Sequence, residues 1–375
     1  MAANRTLGAK LAIIITDSDV RRLLSYDECI DAMRIAFKDF AEGVAVNRPR
    51  VRYTARHSQP DKRYFANVHV GAVPSVGVAC VRAGSQILVP ASATNDRRLY
   101  DSPTAFNWGI VILYSTETAE PLAFLHEFEL SGMRVGATSA LGIATVARAD
   151  ASRLALFGTG KQARSGLEAA LRVRPIRDVF VYSPTAEHLS AFVKDAARQG
   201  VSVRAAKHPQ EAIEGADVVL CCTSSMRPVV LGDWLEDGQM VITIANSDVT
   251  NIRSEVDRRV FERASSVIVN DWESVTENNQ VELLEPIEAG ALSRDSVHTI
   301  GDLVAGKVTV RQPPRGEGNG VVYYKNNSGL AIQFAAPGAL LHKKLKAEGT
   351  AREIPNEWLG TDLSALYAAG FRPSP

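Results

Sequence analysis

The sequence has few of the features that mark membrane-spanning, secreted or nucleic-acid-binding proteins. It contains no run of about 18 apolar residues, and its N-terminus lacks a charged segment followed by an apolar one with a cleavage site. The 42 basic residues equal the 42 acidic ones, and no alternation of aromatic and basic residues suggests a nucleic-acid groove. We therefore expect a soluble, cytoplasmic protein that binds small molecules, with no nucleic-acid and no membrane partner.

Cysteine and clustered metal-ligating residues are also scarce. The four cysteines show no C-x-x-C spacing and are interpreted as reduced packing residues. They are Cys29, Cys80, Cys221 and Cys222. The seven histidines lack H-x-x-x-H spacing and carboxylate clusters, so we predict no metal site. Three of them are interpreted as structural, with a role as polar pocket residues left open: His69, His126 and His298.

A glycine-rich loop between an apolar strand and a helix is the most informative feature of the sequence. The strand is predicted at 154–157, and apolar residues then recur at helical spacing up to Leu171. The loop residues expected to bind a cofactor are Gly158, Thr159, Gly160, Lys161, Gln162 and Ala163. Gly158 permits the tight turn, Gly160 lets the backbone approach a pyrophosphate, and Ala163 allows close packing of helix and strand. Since the helix N-terminus faces the phosphates, the loop predicts a bound dinucleotide.

Strand-like and helical segments alternate after this loop. Apolar runs typical of buried parallel strands lie at 179–182, 201–205, 218–222, 241–245 and 267–269. The alternation predicts a Rossmann-type, doubly wound parallel sheet, whose ligands bind at the carboxyl ends of the strands. Further cofactor-binding candidates follow these strands: Ser183, Thr185, Thr223, Ser224 and Ser247.

The segment before the loop predicts a second domain of a different kind. Ser25 and Glu28 form a capping box for a helix that continues to Phe40. From Val51 to Tyr114 the sequence is strand-like and irregular, which indicates an antiparallel sheet.

The remaining elements suggest that the nucleotide domain is an insertion. A helix predicted at 131–149 leads into the nucleotide domain. Arg134 lies in the first turn of this helix, where the helix dipole disfavours a cation, so the position of Arg134 requires an explanation. A strand at 321–324 and a helix at 329–348 are expected to return to the first domain. The fold class is thus α/β, with the Rossmann domain at 131–320 inserted into an α+β domain formed by 1–130 and 321–375.

Four segments carry a family resemblance in their order and spacing. They are Arg134-Val135-Gly136-Ala137-Thr138-Ser139-Ala140, Gly158-Thr159-Gly160-Lys161-Gln162-Ala163-Arg164, Asn246-Ser247-Asp248 and Lys325-Asn326-Asn327-Ser328-Gly329-Leu330. Together they resemble the ornithine cyclodeaminase and mu-crystallin family over nearly the whole chain. The resemblance implies a homodimer, a substrate-binding and dimerisation domain made from both chain ends, and a nicotinamide cofactor on the central domain.

The resemblance also implies an activity and residue roles. Family members pass hydride between nicotinamide and the carbon of an amine or imine. By analogy, Arg134 would bind the substrate carboxylate, and Asp248 would lie near the amine and handle protons. Arg50 would face the substrate, with Arg48 as the alternative register. From the residues alone, a surface or interdomain salt bridge at Arg134 and a turn or helix-cap carboxylate at Asp248 remain open.

The sequence departs from the cyclodeaminase pattern at two positions. A lysine that contacts the carboxylate in the cyclodeaminase is replaced here by Ala79, and Arg82 is a candidate to supply the missing charge. The catalytic glutamate of the cyclodeaminase is also missing, where this chain has Phe65-Ala66-Asn67. These changes disfavour ring-closing deamination.

We therefore expect an NAD(P)H-dependent oxidoreductase that acts on the C–N bond of an α-amino or α-imino acid, as an imine or ketimine reductase or an amino-acid dehydrogenase. Arg50, Arg82 and Arg134 are the substrate-binding candidates, and Arg134 and Asp248 are the catalytic ones. The alternatives are an ornithine cyclodeaminase, which forms proline and ammonia, and a non-catalytic, mu-crystallin-like protein that binds NADP or another small ligand.

Cofactor choice depends on the end of the second strand of the Rossmann domain. An acidic residue there would bind the ribose of NAD, but the sequence has Tyr182-Ser183-Pro184-Thr185, with no acid to repel a 2′-phosphate and no arginine to hold one. NADP is slightly favoured, and NAD stays open. Four residues are candidates for the wall of the substrate pocket: Asn67, His69, Thr276 and Asn279.

Overall fold

The computed structural model describes residues 11–89, 99–247, 252–326, 329–364 and 368–370. Its strands are β1 (Leu11–Ile15), β2 (Val46–Arg56), β3 (Arg63–Val73), β4 (Val78–Val89), β5 (Leu99–Asp101), β6 (Trp108–Ser115), β7 (Pro121–His126), β8 (Arg153–Phe157), β9 (Asp178–Tyr182), β10 (Ser202–Ala205), β11 (Val218–Cys221), β12 (Met240–Thr243), β13 (Ala264–Val269), β14 (Val297–Thr299), β15 (Val321–Lys325) and β16 (Arg352–Pro355). Its α-helices are α1 (Asp17–Leu23), α2 (Tyr26–Ala41), α3 (Phe128–Val146), α4 (Lys161–Val173), α5 (Ala186–Ala196), α6 (Pro209–Ile213), α7 (Arg258–Glu262), α8 (Trp272–Glu277), α9 (Val281–Glu288), α10 (Ile300–Val304) and α11 (Ile332–Glu348).

The first sheet is mixed and combines both ends of the chain. Its order is β16-β1-β7-β6-β4-β3-β2, with β5 paired to β4. The β1–β7 pair is parallel and the other pairs are antiparallel. Side chains alternate between its two faces, and one row that crosses four strands in register is buried. That row is Cys80, Leu113, Ala123 and Ile13.

Helices α2 and α11 pack against this sheet. The Ser25–Glu28 capping box starts α2 as the sequence predicts, and Ile30, Met33 and Phe37 are buried on one side of the helix. Their spacing is that of a single helical face, so the amphipathic pattern decides how α2 packs.

The second sheet is entirely parallel, in the order β10-β9-β8-β11-β12-β15-β13-β14. Every residue of β11 and β12 is buried, as expected for strands covered on both faces. The strand order reverses between β8 and β11, which creates the crevice where doubly wound folds bind their ligands. The prediction of a Rossmann-type parallel sheet beside a second α+β unit is confirmed.

Two details differ from the sequence-based expectation. Strand β15 pairs with β12 and β13, so the strand expected to begin the returning segment at 321 lies in the nucleotide sheet. Helix α3 starts at Phe128 rather than at 131, because Asp17 accepts the Glu129 N–H and supports an earlier first turn. Arg134 therefore lies in the second turn, and the helix dipole opposes its charge less than expected.

Candidate active site

The loop between β8 and α4 has the geometry of a dinucleotide-binding turn. Gly158 has φ +100°, and a Cβ atom there would lie 2.5 Å from the carbonyl oxygen of Cys222. Its N–H donates to the Tyr182 carbonyl at 2.9 Å, which joins the loop to the end of β9. Gly160 precedes α4 with φ −80°, and a Cβ atom there would meet nothing within 4 Å. The open space above the N-terminus of α4 therefore fits a pyrophosphate.

Three other loop residues have contacts that bear on the predicted cofactor site. Ala163 is fully buried, in agreement with close packing of the helix on the strand. The Lys161 ammonium donates to the Phe128 carbonyl at 2.8 Å and lies 3.7 Å from the Phe128 ring centroid, and its burial lowers its pKa. Lys161 thus holds the loop against the start of α3. Gln162 has a buried Oε1 atom with no hydrogen-bond partner among the described residues.

The other cofactor candidates follow β9, β11 and β12. Thr185 precedes α5 without a side-chain capping bond, so among the described residues its hydroxyl is not used to cap the helix. Thr223 donates from its N–H and its hydroxyl to Glu255, both at 2.7 Å. Ser247 exchanges two hydrogen bonds with Arg253, through the Ser247 hydroxyl. Ser183 and Ser224 lie in the same loops as Thr185 and Thr223.

A buried carboxylate that the sequence analysis missed joins two of these loops. Glu255 also accepts the N–H groups of Ile244 at 2.9 Å and Ala245 at 2.8 Å. Burial, followed by the neighbouring Glu282 carboxylate, raises the pKa of Glu255. Because one carboxylate receives hydrogen bonds from the loops after β11 and β12, it fixes their relative position at the crevice.

Lys325, in the fourth segment of the family resemblance, has a structural role beneath this crevice. It is fully buried and donates to Glu282 at 2.8 Å. Burial alone would raise the pKa of Glu282, but the Lys325 ammonium and hydrogen bonds from Thr243 and Tyr323 hold it below its ordinary value. The next residue, Asn326, donates to Ser139 at 2.8 Å and so joins the segment to α3.

Arg134 is buried where α3 meets α11. It is 7% exposed and donates to Gln333 Oε1 at 2.9 Å, while its guanidinium lies 4.7 Å from the Phe334 ring centroid. Burial, together with the charge of Arg82, lowers its pKa to about 9, so Arg134 stays protonated at neutral pH. Its Nε atom has no hydrogen-bond partner among the described residues. Arg134 is therefore a buried cation with donor capacity left for a ligand.

Arg82 lies close to Arg134, but its charge is already engaged. Its Nε and Nη2 atoms donate to the two carboxylate oxygens of Glu127, at 2.6 and 2.5 Å. Residues 79 and 82 of β4 point to opposite faces by strand alternation, so Arg82 does not occupy the space beside Ala79. The sequence analysis missed Glu127, whose partner lies 45 residues away along the chain. A substrate contact by Arg82 stays a prediction.

Arg50 and Arg52 converge on the nucleotide domain. The Arg50 Nη2 atom and the Arg52 Nη1 atom each lie 3.4 Å from the Ser247 carbonyl oxygen. Arg48, by contrast, is exposed and 3.9 Å from Glu273 at the surface. Of the two alternative registers, Arg50 is thus the one near the crevice, and Arg52 is an addition that the sequence analysis missed.

His69 lies among these arginines. It is 2% exposed, and its ring centroid is 6.1 Å from that of Phe334, the ring that also contacts Arg134. Burial, then the charges of Arg82, Arg50, Arg134 and Arg52, lower its pKa well below the ordinary value, so the ring is neutral. Neither ring nitrogen has a hydrogen-bond partner among the described residues.

The structure brings some of the other candidates to this cluster and not others. Asn67 joins it, because the Asn67 carbonyl accepts from Arg82 at 3.4 Å. Thr276 is exposed and donates back to Glu273, while Asn279 follows α8 with φ +47°.

His126 pairs with Asp17 at 2.6 Å, as expected for a structural histidine. His298 lies on β14, at the edge of the parallel sheet. Asp248 lies outside the described residues.

Three observations concern the expected absences. All four cysteines are buried and free. Within residues that the structure describes, no group of three or more His, Cys, Asp or Glu side chains could hold a metal ion. In the same part of the chain, no helix combines the length and apolar character needed to cross a membrane.

Known proteins with similar sequences and structures include dehydrogenases, reductases and cyclodeaminases by name. Alanine dehydrogenase of Archaeoglobus fulgidus is 26% identical over 91% of this chain and 98% of its own, and a Bacillus cereus Delta(1)-pyrroline-2-carboxylate reductase is 26% identical over 91% and 99%. The structure of Thermococcus litoralis Delta(1)-pyrroline-2-carboxylate reductase, in complex with NADH and L-proline, superposes with a TM-score of 0.78 at 22% identity and covers 91% of this chain and 100% of its own.

A second solved structure shows the same fold. The iminosuccinate reductase of Paracoccus denitrificans, in complex with NAD+, gives a TM-score of 0.76 at 22% identity and covers 92% of this chain and 99% of its own. The sequence profile of the ornithine cyclodeaminase/mu-crystallin family matches residues 11–348. The resemblance found in the sequence is thus confirmed, and the chain belongs to the ornithine cyclodeaminase/mu-crystallin family.

Proposed function

We propose that the chain is an NAD(P)H-dependent oxidoreductase that acts on the C–N bond of an α-amino or α-imino acid, as an imine reductase or an amino-acid dehydrogenase. The observation that carries this proposal is the buried Arg134, with donor capacity left, in a cluster whose Arg50 contacts the loop after β12. The names of the relatives, a dehydrogenase and two reductases, agree with this class of reaction.

A nicotinamide dinucleotide fits the crevice, because Gly160 leaves the N-terminus of α4 open for the pyrophosphate. When bound, the nicotinamide exchanges a hydride with the substrate carbon. We assign the pyrophosphate to the loop at 158–163, and the nicotinamide half to the loops that carry Thr223, Ser224 and Ser247. Glu255 holds two of these loops in place.

The substrate side of the reaction is assigned to the arginine cluster. Arg134 binds the α-carboxylate and so holds the α-carbon against the nicotinamide face, which removes orientational freedom before the reaction. In the reducing direction, hydride adds to the imine carbon, the C=N π electrons move to nitrogen, and nitrogen is protonated as an amine forms. We propose Asp248, which follows the loop after β12, as the group that handles this proton.

We propose NADP as the preferred cofactor, with NAD as the alternative. The loop at 183–185, directly after β9, has no acidic side chain, and the hydroxyls of Ser183 and Thr185 are available to a 2′-phosphate. The solved relatives contain NADH and NAD+. The ratio of kcat/KM for NADPH and NADH decides between the two.

The outer face of the first sheet supports a homodimer. An in-register row crosses five strands on this face, and none of its residues is buried. The row is Val70, Val81, Ile112, Phe124 and Ile14. A continuous apolar face of this kind marks an interaction site, and a second copy of the sheet would cover it with matching chemistry. A solved relative is an alanine dehydrogenase dimer.

We further propose a cytoplasmic location, because the four cysteines are free and disulfides are rare in the cytoplasm.

The experiment that tests the function is a screen of NADH and NADPH oxidation with 2-oxo acids plus ammonia or an amine, and with cyclic imino acids. Arg134→Met should raise KM for the carboxylate substrate by about 30- to 1000-fold, since loss of a buried charge-pair partner costs about 2–4 kcal/mol. Arg172→Met, at the exposed end of α4, is the control. Absence of oxidation with every substrate would leave the non-catalytic alternative, and conversion of ornithine to proline without net cofactor change would favour the cyclodeaminase.

A further inference from the structure

Two buried arginines of the candidate site, Arg82 and Arg134, have partners of different charge. Each is 7% exposed. Arg82 donates from Nε and Nη2 to the two carboxylate oxygens of Glu127, so an anion balances its charge. Arg134 instead donates from Nη1 to Gln333 Oε1, the oxygen of a neutral amide. Burial and the charge of Arg82 act on the pKa of Arg134 more strongly than the Glu127 carboxylate does, and the pKa falls to about 9. Arg134 is thus a protonated, buried cation whose hydrogen-bonding partner brings no charge, which favours an anionic ligand.

The orientation of the Gln333 amide is fixed from both of its ends. Gln333 is fully buried. Its Oε1 atom accepts from Arg134 Nη1 at 2.9 Å and from the backbone N–H groups of Gly329 and Leu330, each at 3.2 Å. Its Nε2 atom donates to the Thr138 hydroxyl at 2.9 Å. That hydroxyl gives its own proton to the Arg134 carbonyl at 2.7 Å, so it can only accept from Gln333. The amide oxygen therefore faces Arg134, and a flipped amide would lose all of these bonds.

Gln333 and Phe334 together decide which edge of the Arg134 guanidinium a ligand can bind. The Phe334 ring centroid lies 4.7 Å from the guanidinium carbon, and Gln333 engages Nη1. The Arg134 Nε atom is buried and has no hydrogen-bond partner among the described residues. The edge formed by Nε and Nη2 is thus left to a ligand. Arg82 binds both oxygens of Glu127 through this same edge, so a carboxylate fits it by two parallel N–H···O bonds.

We propose that Gln333 is the positioning residue of Arg134: its amide oxygen holds Nη1 without neutralising the guanidinium, so that Nε and Nη2 bind the substrate carboxylate side-on. The inference rests on the proposed function and adds a residue to the same site. The neutral amide is essential to this role. A carboxylate at the same position would pair with Arg134 as Glu127 pairs with Arg82, and it would remove the charge that binds the substrate.

The Gln333→Glu variant tests the role of the neutral amide. A carboxylate of the same shape accepts the same three N–H groups, and the Thr138 hydroxyl can turn to donate to its second oxygen. We expect the free energy of unfolding in urea to be unchanged or higher, because the new carboxylate pairs with Arg134. KM for the carboxylate substrate should nevertheless rise at least about 30-fold, with a smaller change in kcat, since the variant loses ground-state binding. A purely structural role would instead lower stability and activity together.

Thr138 and an exposed glutamine supply the matched variants. Thr138→Val leaves Gln333 Nε2 without an acceptor and should raise KM about two- to tenfold, the worth of one neutral hydrogen bond. Thr138→Ser keeps the hydroxyl and should recover most of this loss. Gln210→Glu makes the same chemical change at an exposed position of α6 and should alter neither stability nor KM. In the Arg134→Met background, Gln333→Glu should destabilise the protein, because its buried carboxylate no longer has a cation.

Formate, the smallest carboxylate, separates this inference from the proposed function. Sodium formate, compared with sodium chloride at equal ionic strength, should raise the melting temperature of the wild type and of Gln210→Glu, but not of Gln333→Glu or Arg134→Met. If this holds without turnover of any acid, the proposed function fails and the positioning role stands. If formate stabilises Gln333→Glu as much as the wild type, or stabilises neither, the positioning role is refuted. An unchanged KM in Gln333→Glu refutes it as well, while the turnover screen decides on the oxidoreductase separately.

Discussion

Gly160→Ala should separate the stability of the fold from its ability to bind a dinucleotide. In the structure a Cβ atom at this position meets nothing within 4 Å, and φ of −80° is allowed for alanine. Alanine lowers the entropy of the unfolded chain, which stabilises the fold by about 0.4–1 kcal/mol, but it is a poorer N-cap than glycine by roughly 0.5–1 kcal/mol. The free energy of unfolding should therefore change by less than about 1 kcal/mol.

Cofactor binding should respond quite differently. The added methyl group would stand in the space through which the backbone approaches the pyrophosphate. Loss of one or two hydrogen bonds to charged phosphate oxygens costs about 2–4 kcal/mol, which raises the Kd for NAD(P)H by about 30- to 1000-fold. The Kd is measured by fluorescence titration of NAD(P)H, and the stability by urea unfolding.

Two other glycines serve as controls. Gly360→Ala, whose Cβ atom would lie an ordinary 3.6 Å from the Asn356 carbonyl oxygen, should leave the Kd unchanged and change the free energy of unfolding by less than about 1 kcal/mol. Gly158→Ala should destabilise the fold itself, because a non-glycine residue at positive φ costs about 1–3 kcal/mol and the methyl group meets the Cys222 carbonyl at 2.5 Å. An unchanged Kd in Gly160→Ala would refute the assignment of the pyrophosphate to this loop.

Three further changes test the rest of the structure. Arg82→Met should destabilise the protein by about 3–5 kcal/mol in urea unfolding, because Glu127 keeps a buried, uncompensated charge. The double variant Arg82→Met, Glu127→Met should recover most of this loss. Equal losses in the single and double variants would contradict the pairing. Burial lowers the pKa of His126, but hydrogen bonds to the Asn107 carbonyl and to Asp17 outweigh this effect and raise the pKa. The His126–Asp17 pair therefore contributes stability that is present below pH about 6.5 and is lost as pH rises through the raised pKa. His126→Asn should flatten that dependence between pH 6 and 9, and an unaltered slope would show that the pair does not titrate there. Ile112→Asp should give a monomer in light scattering, and a dimer of unchanged affinity would move the interface to another face.

The elements were predictable where short-range pattern decides them. The apolar strand at 154–157, the turn at Gly158 and the helix after it follow from residues close together in sequence, and the capping box at Ser25 works in the same way. Element boundaries were less predictable where a distant side chain intervenes. Asp17 lies 112 residues from Glu129 and still moves the start of α3.

The residues of the candidate site were likewise predictable only where a local sequence pattern marks them. Arg134 and Arg50 could be named from the sequence because they stand in recognisable segments, and the structure places Arg134 beside Gln333 and Arg50 beside the loop after β12. Glu127 and Glu255 could not be named, because a carboxylate between ordinary residues gives no sign of the partner it will meet after folding. A buried acid is stable only when paired or hydrogen-bonded, so its position depends on the packing around it.

The sequence by itself determined the dinucleotide loop, the parallel sheet and the family, since each rests on residue types at fixed short spacings. Only the tertiary structure decided how the charges are shared. It joins Arg82 to Glu127 across 45 residues and brings Arg50 and Arg52 to Ser247 across 197 and 195 residues. The physical reason is that a buried charge is stabilised by the groups around it, and chain folding alone brings those groups together.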